Sequence, residues 1–377
     1  MKGKIKVLWV TNALGCGGAE RQMLYMYDIL NKVCNIDITI LYYAQVGDAL
    51  NIEGVKTVFI DKDKIGKLKT VNEIRKYIKN NNIQIMHAFG GSSANIYGRF
   101  GTLFTRAIPV GAVLGKRHFA KKTIAVVNSF LNLFGNWWTV NNAALIPILK
   151  RDLAFTSSHK IRLLHNGFVP ASEIDYQIGT NTQYDVDKEN KFVFTAVGRL
   201  QPVKNYGLFL KAAKVISEKH KNVRFWIVGN GSEYENLTRL CKELELDEIV
   251  RFWGYKTDID VAMSRSDCFV QTSFTEGSPN TIAEAMRASK PIISTDSTDL
   301  SEMILEDKNG FVVENDNCEA LVEAMEKILS KREDDYCDMC QVSSELFEKN
   351  FLDMRVAAEF DKFYNEIINK GKNLNDA

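Results

Sequence analysis

The stretch FVFTAVGRLQPVKNYGLFLKAAKVISEKHKNVRFWIV, residues 192–228, carries two β-rich apolar runs with an amphipathic run between them. Phe192–Val197 and Val223–Val228 read as strands buried on both faces. The segment near 206–219 has helical spacing. Two such strands joined through a helix run parallel. The rhythm continues outward. Further strands are expected at Ile249–Trp253, Cys268–Thr272 and Pro291–Ser294, with helical segments near 233–244, 279–289 and 317–330. Upstream, Ile5–Val10, Ile36–Leu41, Val55–Ile60, Ile83–His87 and Val110–Leu114 read as strands, with helical patterns at Arg21–Leu30 and Val71–Lys79. The pattern predicts two doubly wound α/β domains. Their boundary falls in the polar, aperiodic Ala171–Asn190, after the turn signal Asn166-Gly167. The expected division is 1–170, 171–350, and a C-terminal helix in 351–377 that crosses back to the first domain.

The composition suits this reading. The chain has 377 residues, 45% of them hydrophobic, 25% charged and only 6 proline, which excludes disordered, collagen-like and disulfide-scaffold classes. No apolar run is long enough to span a membrane, and the short N-terminal run, broken by Lys6, reads as a strand and not a signal peptide. Seven cysteines without regular spacing point to a reducing cytoplasm. Cys337-Asp338-Met339-Cys340 is a lone pair with no partner cluster for zinc, so no metal site is expected.

The net charge of +1 hides an asymmetry. Residues 1–170 carry 23 Lys and Arg against 9 Asp and Glu, a balance of +14; residues 171–377 carry 25 against 38, a balance of −13. No carboxylate side chain occurs between Glu73 and Asp152. A basic half faces a membrane, a nucleic acid or a phosphorylated substrate. No nucleic-acid-binding motif accompanies it. An anionic membrane surface is the expected partner, through Gly115–Trp138, where Lys116, Arg117, Lys121 and Lys122 precede Phe130, Phe134, Trp137 and Trp138. This places the chain in the cytoplasm, peripherally on the inner face of the cell membrane.

Three loops carry chemistry. After the first strand, Gly15-Cys16-Gly17-Gly18 precedes a helix, a turn that lets backbone approach an anion. After strand 192–197, Gly198-Arg199-Leu200-Gln201-Pro202-Val203-Lys204-Asn205 sets two cations five residues apart at the carboxyl edge of a parallel sheet, where ligands bind. Two fixed cations there hold a diphosphate without a metal. In Thr275-Glu276-Gly277-Ser278-Pro279-Asn280-Thr281-Ile282-Ala283-Glu284, Ser278 reads as an N-cap and Pro279 as the first helical residue, so a helix N-terminus faces an anion. Glu276 precedes that helix, and Glu284 follows Asn280 by four residues on one face.

With these residues in place, the sequence resembles family 4 of the retaining glycosyltransferases, the glycogen-synthase-like superfamily with the GT-B fold: two Rossmann-like domains facing a central cleft. The resemblance runs nearly end to end, from Gly17-Gly18-Ala19-Glu20-Arg21 to the terminal helix, and is strongest from Gly198 to Val313. It rests on Gly198-Arg199-Leu200 with Lys204-Asn205, on Val228-Gly229-Asn230-Gly231-Ser232, on Glu276 and Glu284, and on Asn309-Gly310-Phe311-Val312-Val313.

The resemblance implies a nucleotide-sugar donor as substrate and no cofactor; the motifs leave the acceptor open, and a glycan or lipid-linked glycan in cell-surface polysaccharide synthesis suits the basic first domain. It implies that Arg199 and Lys204 grip the donor diphosphate and that Glu284 hydrogen-bonds the ribose. Glu276 contacts the transferred sugar, and Gly198 with the backbone at Gly277, Ser278, Pro279, Asn280 and Thr281 touches sugar or phosphate. Gly17 and Gly18 let the first domain close over the diphosphate. His118 matches a His that lies near the reacting centre in some relatives, and His87, at the end of an earlier strand, is a weaker candidate. Where relatives often carry a glycine pair, this chain has Asp296-Ser297-Thr298-Asp299, followed by Glu302, which leaves loop shape and acceptor access open. A nucleotide-sugar epimerase of similar architecture and a transferase using a soluble sugar or sugar phosphate stay open as alternatives, as does a non-catalytic nucleotide-binding protein, against which the intact Arg199, Lys204, Glu276 and Glu284 speak.

Overall fold

The structure is a computed structural model that describes residues 3–15, 18–45, 52–115, 122–135, 137–175 and 183–373. The chain divides into two compact units, Met1–Gly167 with Asp353–Ala377, and Phe168–Leu352.

The first unit holds a seven-stranded sheet: β1 (Ile5–Thr11), β2 (Ile36–Tyr42), β3 (Thr57–Phe59), β4 (Ile85–Ala88), β5 (Ile108–Val113), β6 (Trp137–Val140) and β7 (Ile161–Leu163), in the order β3-β2-β1-β4-β5-β6-β7. The second holds six: β8 (Phe192–Val197), β9 (Val223–Val228), β10 (Val250–Gly254), β11 (Cys268–Gln271), β12 (Ile292–Thr295) and β13 (Gly310–Val313), in the order β10-β9-β8-β11-β12-β13. Every pairing in both sheets is parallel. In each sheet the first strand sits centrally, and the chain winds outward on one side before returning to the other. That reversal makes a crevice at the carboxyl ends of β1 and β4 in one unit, and of β8 and β11 in the other.

The apolar strand runs are buried as their composition requires: β8 and β9 send Phe194, Ala196, Phe225 and Ile227 to one face, where helix Tyr206–Lys219 adds Phe209, Leu210 and Ala213. The C-terminal helix Asp353–Asn373 belongs to the first unit. Val356, Ala357, Phe360, Phe363, Tyr364 and Ile367, spaced as one helical face, join the core around Val7, Trp9 and Leu30.

Two corrections concern the first unit. The sequence reading stops at five strands, whereas β6 and β7 extend the sheet. Trp137 and Trp138, expected at a membrane surface, are buried in β6; Trp138 packs beneath the guanidinium of Arg99, 4.7 Å from ring centroid to carbon. A four-residue strand whose two aromatics face opposite sides of a buried sheet looks the same in sequence as an interfacial aromatic pair. In the second unit, the polar 171–190 stretch contains the helix Gln183–Lys188, whose one buried residue, Tyr184, is too little to create a visible period. Among the described residues no helix is long and apolar enough to cross a membrane.

Candidate active site

The crevice of the second unit is built by the loops leaving β8 and β11. Gly198 ends β8 at φ 149°, and its amide donates to the Val228 carbonyl at 2.9 Å. Gly229, at φ 144°, follows β9; a Cβ there would lie 1.9 Å from the Gly198 carbonyl oxygen. Both positions therefore exclude a side chain. The β8 loop then folds into a short 3-10 turn, Pro202–Lys204, and Asn205 takes the left-handed conformation before helix Tyr206–Lys219 begins. The β11 loop is laced to it: Thr272 Oγ1 donates to the Lys204 carbonyl at 2.9 Å, and the Phe274 amide to the Val203 carbonyl at 2.9 Å.

This lacing brings two of the sequence-derived site residues into contact. Lys204 Nζ donates to Glu276 Oε1 at 2.6 Å, with the side chains 21% and 15% exposed. Tyr206 lies under the pair. A Cβ on Gly198 would meet its hydroxyl at 3.0 Å and Lys204 Cε at 3.8 Å. Burial, and then the charge of Glu276, push the Tyr206 hydroxyl well above its ordinary pKa, so it stays protonated. Arg199 is exposed on the same loop, and its guanidinium has no ion-pair or hydrogen-bond partner among the described residues.

The helix that follows Glu276 runs Asn280–Arg287. Pro279 is its N-cap and not its first turn, because its ψ of 97° is extended, and no side chain caps the end. Ser278 therefore does not cap it, contrary to the sequence reading; the Ile282 amide instead donates to the Pro279 carbonyl at 3.1 Å. Glu284 stands on this helix, half-buried, one turn beyond Asn280.

The residues that hold the Glu276 loop escaped the sequence reading. The Glu276 amide donates to the Ser297 carbonyl at 3.2 Å, and Thr298 Oγ1 donates to the Gly277 carbonyl at 3.3 Å. Gln271 Nε2 donates to Ser294 Oγ and Ser297 Oγ, each at 3.4 Å, while its Oε1 accepts from Thr281 Oγ1 at 3.4 Å. The 296–299 segment thus buttresses the loop carrying Glu276. The signal was present in the departure of Asp296-Ser297-Thr298-Asp299 from the glycine pair.

In the first unit, Gly18 opens helix Gly18–Val33 just past β1. Gly17 and His118 lie outside the described residues, as do Lys116, Arg117 and Lys121. His87 is fully buried in β4. Its Nδ1 lies 2.8 Å from the Tyr364 hydroxyl and its Nε2 2.8 Å from Thr139 Oγ1, while Trp9 Nε1 donates to the same Tyr364 oxygen at 2.9 Å. Burial lowers its pKa to about 3, so it is neutral. Nδ1 ties β4 to the C-terminal helix and Nε2 ties it to β6, and His87 is structural. Among the described residues no group of three or more His, Cys, Asp or Glu is arranged to hold a metal.

Residues 181–341 match the family model of glycosyl transferases, group 1. The chain is 26% identical over 354 residues, 86% of its own length and 88% of the relative's, to the UDP-Gal:alpha-D-GlcNAc-diphosphoundecaprenol alpha-1,3-galactosyltransferase of Escherichia coli. It is 26% identical over 368 residues, 89% of its length and 94% of the relative's, to a Campylobacter jejuni N-acetylgalactosamine-N,N'-diacetylbacillosaminyl-diphospho-undecaprenol 4-alpha-N-acetylgalactosaminyltransferase. A local match, 31% over 146 residues, covers 38% of this chain and 41% of an uncharacterized glycosyltransferase of Haemophilus influenzae. Among solved structures, Anabaena HepE in complex with UDP superimposes with a TM-score of 0.83 at 17% identity, over 96% of this chain and 100% of that one. The chain has the GT-B fold and is a glycosyltransferase, and it is its residues 181–341 that match group 1.

Proposed function

We propose that the chain moves a sugar, with retention at the anomeric carbon, from a nucleoside-diphosphate sugar to a glycan carried on a lipid diphosphate, in the synthesis of a bacterial cell-surface polysaccharide. The observation that carries this reading is the Lys204–Glu276 contact: one cation and one carboxylate, mostly buried, joined across the two loops of the second unit's crevice beside the exposed Arg199. The Escherichia coli and Campylobacter jejuni relatives, both named for acceptors on diphosphoundecaprenol, support the acceptor class.

In this reading Glu284 accepts from the ribose hydroxyls, and the diphosphate takes Arg199 and shares Lys204 with Glu276. The amides of Ser278, Asn280 and Thr281 face the phosphate or the sugar. As the anomeric C–O bond breaks, negative charge gathers on the diphosphate and positive charge on the sugar ring. Arg199 and Lys204 stabilise the first and Glu276 the second. The acceptor hydroxyl forms the new C–O bond on the face the diphosphate leaves, and a departing phosphate oxygen takes its proton. This route needs no side-chain nucleophile. It gives an α-linkage from an α-linked donor, the linkage for which both relatives are named.

The test is transfer from a panel of UDP-sugars to a diphosphoundecaprenol-linked saccharide, with the product anomer read by NMR. An α-linked product that forms undiminished in EDTA is expected, since fixed cations hold the diphosphate. Strict dependence on added Mn²⁺ or Mg²⁺ overturns the metal-free site. Donor consumed without acceptor to give an epimerised sugar makes the chain an epimerase.

A further inference from the structure

The helix Lys122–Leu131 and the turn after it are apolar on both sides: Ile124 and Ala125 pack against the core around Val113, Trp138 and Val140. Their buried side carries Asn128, Leu131 and Asn132. The two asparagines serve Arg99, itself buried: Nη1 donates to Asn128 Oδ1 at 3.2 Å, and Nη2 donates to Asn132 Oδ1 at 2.7 Å and to the Gly135 carbonyl at 2.6 Å. Neutral oxygens hold this cation in a segment that has no carboxylate between Glu73 and Asp152. The outer side carries Val126, Phe130, Leu133 and Phe134, at 67%, 49%, 59% and 56% exposure. Their spacing of four, three and one residues makes one stripe, and the exposed Lys122 stands one turn before Val126. The rings of Phe130 and Phe134 meet edge-on at 5.4 Å.

Phe155 extends the stripe. The Ala154 amide donates to Ser129 Oγ at 3.0 Å, and Asn132 Nδ2 donates to the Ala154 carbonyl at 2.8 Å, which fixes this loop beside the helix. Phe155 is 63% exposed and held at φ 60°, a conformation rare for an aromatic residue. A soluble element turns its apolar stripe inward. One that carries a second stripe of Val126, Phe130, Leu133 and Phe134 on its outer side presents a surface to a partner.

We infer that this face seats on an anionic bilayer, with the aromatic side chains in its interfacial region. Charge decides for a bilayer over a protein. Residues 74–151 contain no Asp or Glu and, besides the buried Arg99, ten Lys and Arg, with Lys122 at the head of the stripe, which complements a uniformly negative plane. The inference deepens the lipid-linked acceptor reading and rests on it only for this choice of occupant.

The test is cosedimentation of the full chain with phosphatidylcholine vesicles, with and without phosphatidylglycerol. Binding should need phosphatidylglycerol and fall as salt rises. Phe130→Ser with Phe134→Ser should lower it about tenfold or more. Leu68→Ser, an exposed apolar residue on helix Lys67–Asn80, should leave it unchanged. Circular dichroism and thermal melting check the fold of the double variant; should it fail, Lys122→Glu must weaken binding in its place. No binding to anionic vesicles at low salt overturns the inference, as does equal binding by the Phe variants. So does self-association without lipid that those variants abolish. The assay contains neither donor nor acceptor, so its failure leaves the acceptor reading standing, and the reverse.

Discussion

The two sheets share one strand order around their first strand, yet they use their polar side chains in opposite ways. In the first unit, His87 lies within β4 at the register of Trp9, and Trp9, Tyr364, His87 and Thr139 form a continuous chain of hydrogen bonds. In the second unit, Arg199, Lys204 and Glu276 lie past the ends of β8 and β11, on loops tied to each other. A titratable group inside a parallel strand is desolvated and satisfied internally. The same group a few residues beyond the strand end keeps one side toward solvent and a ligand. Position relative to the strand end, more than residue type, separates structure from chemistry here.

The largest test of this contrast lies in the second unit. Arg199→Ala and Lys204→Ala should each lower turnover about a hundredfold or more, the scale of one lost transition-state contact. They should differ in stability. Removing exposed Arg199 leaves the melting temperature unchanged, whereas Lys204→Ala strands the largely buried Glu276 carboxylate and lowers it. Wild-type turnover in either variant would break the assignment of the crevice.

His87 should behave in the opposite manner, through stability and not through catalysis. In the unfolded chain its pKa is near 6.5, and in the fold burial lowers it to about 3. Between these values the unfolded state binds more protons. The stability from a neutral His87 is therefore full above pH 6.5 and is lost as pH falls toward 3. Between pH 7 and pH 5 the loss is about 2 kcal/mol. The urea midpoint of wild type should fall over this interval more than that of His87→Gln. Parallel pH profiles for the two proteins would show that His87 does not carry this linkage.

The contrast also explains what was legible. Parallel strands declare themselves as apolar runs, so β8, β9, β11 and β12 are readable in sequence, and Gly198, Arg199, Lys204, Glu276 and Glu284 stand out because loops after such strands are short and chemically distinctive. β6 and β7 are not readable, since four and three residues make no period and Trp137 and Trp138 suit a surface as well as a core. The N-cap at Pro279 depends on one ψ angle that residue identity does not set. Gln271 acts through its side-chain amide from β11, and Ser297 and Thr298 through a carbonyl and hydroxyls just past β12, a pairing that exists only once β11 and β12 lie side by side. Lys204 and Glu276 are 72 residues apart, and their contact follows from the sheet order.

The finest comparison is between the two glutamates. Glu276 pairs with Lys204 across the two loops, and Glu284 stands half-buried on the helix, one turn past Asn280. Glu284→Gln removes a charged acceptor for ribose, and free UDP should then bind about tenfold more weakly, the lower end for a hydrogen bond to a charged group. Glu276→Gln removes the anion that competes with a phosphate for Lys204. UDP affinity should be unchanged or tighter, while turnover falls because the charge beside the sugar is gone. Isothermal titration with UDP, set against steady-state rates, separates these outcomes. An equal loss of UDP affinity in both variants would mean that Glu276 serves the nucleotide and that its bond to Lys204 builds the phosphate site. Tighter binding in Glu276→Gln would show that the same bond restrains Lys204 until a donor arrives.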